Sequence, residues 1–132
     1  MLFRSIPSFA KQIKNAKLEG NLNLEMTVGN VKVVRDFCDV RDVVKAYLLL
    51  IENNINNLIV NICSGEGTQL EQIIDKLATI EHIHTSLHID KARLRANDNM
   101  CIIGNNRRLL NLVNWQRKYS LKESLQDILK TI

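Results

Sequence analysis

The chain has 132 residues, 45% of them hydrophobic and 24% charged, with 18 Lys and Arg against 14 Asp and Glu for a formal charge of +4. Those values place it among ordinary globular domains and exclude disordered and fibrous classes. No apolar run approaches the ~20 residues of a membrane helix, and the start Met1-Leu2-Phe3-Arg4-Ser5-Ile6-Pro7 lacks the pattern of a secretory signal. Cys38, Cys63 and Cys101 stand far apart with no CxxC pair, which predicts buried free thiols in a reducing cytoplasm. The basic residues are scattered and aromatics make up only 5%, so the basic stripe with interleaved aromatics of a nucleic-acid module is missing. A small anionic ligand such as a nucleotide diphosphate suits a few arginines better.

In chain order, residues 8–17 carry Phe9, Ile13 and Ala16 at helical spacing, with Gly20 as the stop. Residues 24–34 alternate and are rich in Val, which predicts a strand or hairpin turning at Gly29-Asn30. Asp39 or Asp42 caps a helix through Val43, Val44, Tyr47, Leu48 and Ile51. Asn53-Asn54-Ile55-Asn56-Asn57 reads as a solvent loop, and Leu58-Ile59-Val60-Asn61-Ile62-Cys63 as a short buried strand. After Ser64-Gly65-Glu66-Gly67, a capping box at Thr68-Gln69-Leu70-Glu71 opens a helix running to about Thr79. Residues 83–89 predict another strand and 106–114 a short helix. A second capping box, Ser120-Leu121-Lys122-Glu123, starts a terminal helix with Leu121, Leu125, Ile128 and Leu129 on one face. Helices alternating with short strands predict an α/β fold with a small, mostly parallel sheet and flanking helices, in one domain over residues 1–132.

Four constellations could carry chemistry. The glycine turn at 64–67 could cradle a phosphate on helix-end amides, although it matches neither the dinucleotide nor the Gly-Lys-Ser/Thr pattern, and a tight turn with positive φ explains it as well. His82, His84 and His88 would share a strand face, but no acidic ligand accompanies them at metal-site spacing, and alternating exposed positions account for them. Asp36, Asp39 and Asp42 recur at three-residue spacing, as caps and ion pairs at a helix entry would. Arg35, following an apolar strand, is placed to present a guanidinium to a ligand. In the segment 90–99, Arg93 and Arg95 alternate, so an extended loop would project both the same way. Arg95 and Asp98 could grip phosphate and ribose hydroxyls.

Taken in order, Ser8-Phe9-Ala10-Lys11-Gln12-Ile13, Val28-Gly29-Asn30, the segment from Arg35 to Tyr47, Asn61-Ile62-Cys63-Ser64-Gly65, Ala92-Arg93-Leu94-Arg95, Gly104-Asn105-Asn106, Asn114-Trp115 and Ser120-Leu121-Lys122-Glu123-Ser124-Leu125 form a distinctive set. This set resembles the C-terminal part of the extended short-chain dehydrogenases that act on nucleotide sugars, in particular the branch of GDP-mannose 4,6-dehydratases and GDP-6-deoxy-mannose reductases. The resemblance covers nearly the whole chain. It implies the substrate-binding lobe of that fold without its Rossmann half, with Arg35 and Arg95 contacting the diphosphate or ribose, Asp98 the nucleoside, and Lys11 a further contact. Two departures touch the site: Ala96 stands where the family commonly has proline, and Gly104-Asn105-Asn106 replaces a Gly-Asp-Asn-type turn.

The family's glycine-rich cofactor loop and Tyr-x-x-x-Lys pair do not occur here. Tyr47 is followed four residues later by Ile51, and Tyr119 by Glu123. The resemblance therefore implies a GDP-sugar-binding fragment with no catalytic residue, cofactor site or metal of its own, its NADP or NAD being held by a separate chain that carries the Rossmann half. A severed lobe is also expected to self-associate. The competing readings are a free-standing protein-interaction module, which calls for an exposed apolar patch where the cofactor half would have packed, and a nucleic-acid-binding domain.

Overall fold

The computed structural model describes residues 5–94 and 98–132. The first helix, α1 (Ser5–Leu18), tolerates Pro7 because the first helical turn has amides without intrahelical acceptors. It ends where expected. Gly20 sits at φ +71°, its amide donating to the Lys17 carbonyl at 3.1 Å and that of Asn21 to Ala16 at 2.8 Å, the paired bonds of a left-handed helix stop.

Residues 24–34 do not form a hairpin. Strand β1 (Asn23–Val28) pairs in parallel with β4 (His84–Ile89), Asn23 opposite His84 and Val28 opposite Ile89. Strand β2 (Val34–Asp36) belongs to a second sheet, between β3 (Gly67–Gln69), antiparallel to it, and β5 (Cys101–Ile102), parallel to it. The chain does not reverse at Gly29-Asn30, because Val31 and Val33 both carry on into the core. The α/β class with mainly parallel pairing holds, divided between two small sheets.

Helix α2 (Val40–Glu52) takes Asp39, not Asp42, as its cap; the Asp39 carboxylate accepts from the Arg41 amide at 2.9 Å. Asn54 and Asn57 adopt positive φ in the asparagine loop, as Asn does more readily than other side chains. The predicted strand at 58–63 does not form: among the described residues it pairs with no strand, and Leu58 and Ile59 are exposed. Val60 and Ile62 turn toward the small cluster of Ala46, Leu109, Val113 and Trp115, and Cys63 is half-buried against Gly104.

Helix α3 (Leu70–Glu81) opens one residue later than predicted. Thr68 is held in β3 opposite Arg35, so Gln69 takes the cap position and its amide donates to Gln72 Oε1 at 3.4 Å. Glu71 instead meets Lys32. A short 3-10 turn (Lys91–Arg93), with the Asp90 carboxylate accepting from the Ala92 amide, replaces the expected extended loop. Helix α4 (Arg107–Leu112) follows, and α5 (Leu121–Thr131) starts at the predicted Ser120–Glu123 capping box.

The larger core joins Ile13 of α1, Met26 and Val28 of β1, Ile73, Ile74 and Leu77 of α3, and Leu125 and Leu129 of α5. A smaller one gathers Ala46, Leu109, Val113 and Trp115. Gly104 sits where these parts meet the second sheet. A Cβ there would lie 2.6 Å from the Cys63 Cβ, closer than side chains pack. Gly104→Ala is expected to cost about 1–3 kcal/mol through overpacking, read as a lower urea midpoint than that of the unaltered chain.

Candidate functional site: a cleft floored by Arg35

Successive residues of a strand point to opposite faces, and β2 uses this to give Arg35 and Asp36 separate tasks. Asp36 faces the loops. Its Oδ1 accepts from the Ser64 amide at 2.8 Å, and its Oδ2 from the amides of Gly65 at 2.9 Å and Gly104 at 3.1 Å. Burial works to raise this carboxyl, but the hydrogen bonds from Ser64, Gly65 and Gly104 outweigh it and hold the group below its ordinary value. The turn that could have cradled a phosphate is thus filled by the chain's own carboxylate. Gly65 has the positive φ of a tight turn, +78°. With those amides taken, the turn does not fit the pyrophosphate of a dinucleotide.

On the other face Arg35, 7% exposed, forms the floor of a cleft of about 320 Å³. Ser8, Phe9 and Gln12 of α1 form one wall and the turn at Gly29-Asn30 another, with Arg93 and Asp98 closing the far side. Arg35 Nη1 donates to the Val34 carbonyl at 2.7 Å and Nη2 to Asp98 Oδ1 at 3.2 Å, while its buried Nε has no partner among the described residues. A guanidinium can meet a carboxylate through two parallel bonds. Among the described residues it makes one, which leaves it under-partnered for a buried charge.

The structure therefore brings two of the predicted site residues, Arg35 and Asp98, into direct contact. Arg95, with Ala96 and Asn97, lies outside the described residues. Lys11 does not join the cleft. At ~100° per residue it stands about 60° round α1 from Ser8 and about 100° from Gln12, and it is exposed and does not line the cleft. Arg93 lines the cleft, but its guanidinium is engaged with Asp90 at 3.2 Å and the Thr27 carbonyl at 3.0 Å. Gly29 admits this packing, since a Cβ would meet Arg93 Cβ and its carbonyl oxygen at 3.3 Å. Phe9 and Gln12 were legible only as helix positions, because the turn that puts them at the cleft depends on how α1 packs.

Other candidates resolve into structural tasks. His82 ends α3 at φ +59°, off the strand, while His84 and His88 are exposed on β4, and among the described residues no three ligands gather as a metal site would need. Burial, with Asp42 and Asp36 adding to it, pushes the Cys38 thiol up to about 11, and burial raises Cys63 as well, so neither is a ready thiolate. Cys101, expected to be buried, is exposed. The departure at Asn105 is accommodated locally: its Oδ1 accepts from the Arg107 amide at 3.0 Å at the start of α4, as an aspartate would.

This arrangement is the C-terminal α/β lobe of an extended short-chain dehydrogenase. Over residues 1–128 the sequence matches the family model described as GDP-mannose 4,6 dehydratase, and the chain belongs to that family. It is 34% identical over 124 residues to a GDP-6-deoxy-D-mannose reductase of Pseudomonas aeruginosa, covering 94% of this chain. It is 29% identical over 128 residues to a GDP-6-deoxy-D-talose 4-dehydrogenase of Aggregatibacter actinomycetemcomitans, covering 96%. The chain spans 40% of the length of both curated relatives. The solved structure of RMD from Pseudomonas aeruginosa complexed with NADPH superposes with a TM-score of 0.86 at 32% identity, covering 96% of this chain and 41% of that one. A UDP-Glc/GlcNAc 4-epimerase from Campylobacter jejuni, at 20% identity and a TM-score of 0.70, covers all of this chain and 42% of its own, and shares the fold.

The carboxylates at the entry to α2 set an acid limit. Arg41 holds the Asp39 carboxyl well below the usual range, and Ser124 adds to this against the effect of burial. A depressed carboxyl stabilises the fold fully above its unfolded value, near 3.8, and that contribution is lost as pH falls through the folded value. Urea midpoints should therefore fall as pH drops below about 4. Asp39→Asn should lower the midpoint at pH 7 and flatten the fall between pH 4 and 2.

Proposed function

We propose that this chain is the GDP-sugar-binding lobe of a nucleotide-sugar dehydratase or reductase, one partial domain over residues 1–132 that binds substrate without catalysing by itself. The observation that carries this reading is the buried, under-partnered Arg35 guanidinium at the floor of the cleft, held by Asp98 at a single point. A diphosphate offers such a guanidinium the charged oxygens that Asp98 supplies only once. Asp98, still about a quarter exposed, keeps an oxygen free to accept from a ribose hydroxyl or the nucleoside. Arg95 belongs to the same loop and is assigned to the diphosphate through the family resemblance.

Hydride transfer in such an enzyme is the work of NADP or NAD, which this reading assigns to a Rossmann half on another stretch of protein. The residues here bind and orient the sugar nucleotide. Three free thiols fit a reducing cytoplasm, and among the described residues no helix is long and apolar enough to cross a membrane.

Titration of the isotopically labelled chain with GDP-mannose, followed by amide shifts and with UDP-glucose as control, tests the reading. GDP-mannose should selectively move amides around Gly29, Arg35 and Asp98. Arg35→Lys, which keeps the charge but loses the planar fork, should weaken binding about tenfold or more in a spectrum that stays dispersed. A dispersed spectrum that ignores GDP-mannose overturns the proposal.

A further inference from the structure

Two methionines lie among the described residues, in opposite surroundings. Met26 is wholly buried in the larger core. Met100, just before β5, is 53% exposed. It is nonetheless attached at two points. Its carbonyl accepts from the Val34 amide at 2.7 Å, one residue before Arg35, and its Sδ accepts from Asn30 Nδ2 at 3.4 Å. The Asn30 Oδ1 in turn accepts from the Lys32 amide at 3.1 Å. Asn30 lines the Arg35 cleft and Met100 does not, so the thioether holds one wall of the cleft from outside it.

A thioether sulfur is a weak acceptor of hydrogen bonds, but hydrogen peroxide oxidises one that solvent can reach. A sulfur lone pair attacks one peroxide oxygen, and a sulfur–oxygen bond forms as the O–O bond breaks. The proton on the attacked oxygen passes to the departing one, which leaves as water. The sulfur has lost two electrons and the peroxide has gained them.

Either sulfoxide epimer undoes the contact with Asn30. In one, the new oxygen stands between the sulfur and the amide nitrogen, which at 3.4 Å leave no room for it. In the other, the oxygen points away, and the sulfur, now partly positive, repels the N–H it had accepted.

We propose that Met100 is a peroxide-oxidation site, and that its sulfoxide displaces the Asn30 side chain at the cleft wall and weakens the hold on a nucleotide sugar. The weakening rests on reading the chain as the substrate lobe; the oxidation and the displacement do not. Met26 is an internal control, the same thioether without solvent. Cys101, the next residue, is exposed and also open to peroxide, so a Cys101→Ser chain removes its contribution.

That chain is treated with hydrogen peroxide and then dithiothreitol, and its peptides are mapped by mass spectrometry. One added oxygen on Met100, with Met26 unmodified, is expected. In the amide spectrum of the ligand-free protein, the Asn30 side-chain signals and the Lys32 amide should move. They should return after the two methionine sulfoxide reductases, one for each epimer, have acted. Affinity for GDP-mannose should fall about fivefold on oxidation, the order of one hydrogen bond lost. With Met100→Leu added, a side chain that takes up no oxygen, affinity should be the same before and after treatment.

Met26 oxidised as readily as Met100 overturns the proposal. So do Asn30 signals that stay in place at full Met100 oxidation, an affinity that oxidation leaves unchanged, or a Met100→Leu chain as sensitive to peroxide as its parent. A chain that ignores GDP-mannose before any treatment refutes the substrate reading and the weakening with it, while the Asn30 signals still decide the Met100 site.

Discussion

The fastening of three backbone amides to one carboxylate, Asp36, is the constraint from which the rest of this structure follows. A strand of three residues has little hold of its own. Three charge-assisted bonds from Ser64, Gly65 and Gly104 tie it to two loops distant in sequence. Because Arg35 and Asp36 share that strand on opposite faces, fixing the carboxylate also aims the guanidinium. The cleft has a rigid floor because its rear side is bolted down.

The same stretch repeats the device twice. Asp39 caps α2, pairs with Arg41 and accepts from Ser124 of α5 at 2.5 Å. Asp42, buried one turn on, accepts from the Lys118 and Tyr119 amides at 2.9 and 3.2 Å, while its carbonyl takes the Trp115 indole at 2.9 Å. Three carboxylates at three-residue spacing therefore reach separate parts of the chain: Asp36 the loops at 64–65 and 104, Asp39 helix α5, and Asp42 the loop at 118–119. Their rotation about the chain, set by the passage from strand to helix, is what sends them apart. Arg41, stacked 3.6 Å from the Tyr119 ring centroid and paired with Asp127, closes the gap between α2 and α5.

What the sequence made legible follows from how local each signal is. The Ser120–Glu123 box, the Gly20 stop and the core face of α5 depend on neighbours within a turn or two, and all were readable. The hairpin at Gly29-Asn30 was not, because which strand β1 joins is decided by His84–Ile89 and not by the intervening turn. Residues 58–63 have the composition of a buried strand, yet composition carries no information on whether a sheet is present to receive them. At the cleft, Arg35, Arg95 and Asp98 stood out as charges in unusual company, and the family resemblance added Lys11. Lys11 does not line the cleft, and Phe9 and Gln12 escaped notice because ordinary helix residues become walls only once α1 has docked.

The pairing of β1 with β4 also sets a timetable. Asn23 and His84 are hydrogen-bonded neighbours in space with most of the chain's first half between them. A ribosome adding residues one at a time releases β1 long before its partner strand exists. During that interval Met26 and Val28, both destined for the core, have neither β4 nor α3 to lie against. Parallel pairing at such separation is slow to nucleate, and the waiting strand offers an open edge to other chains.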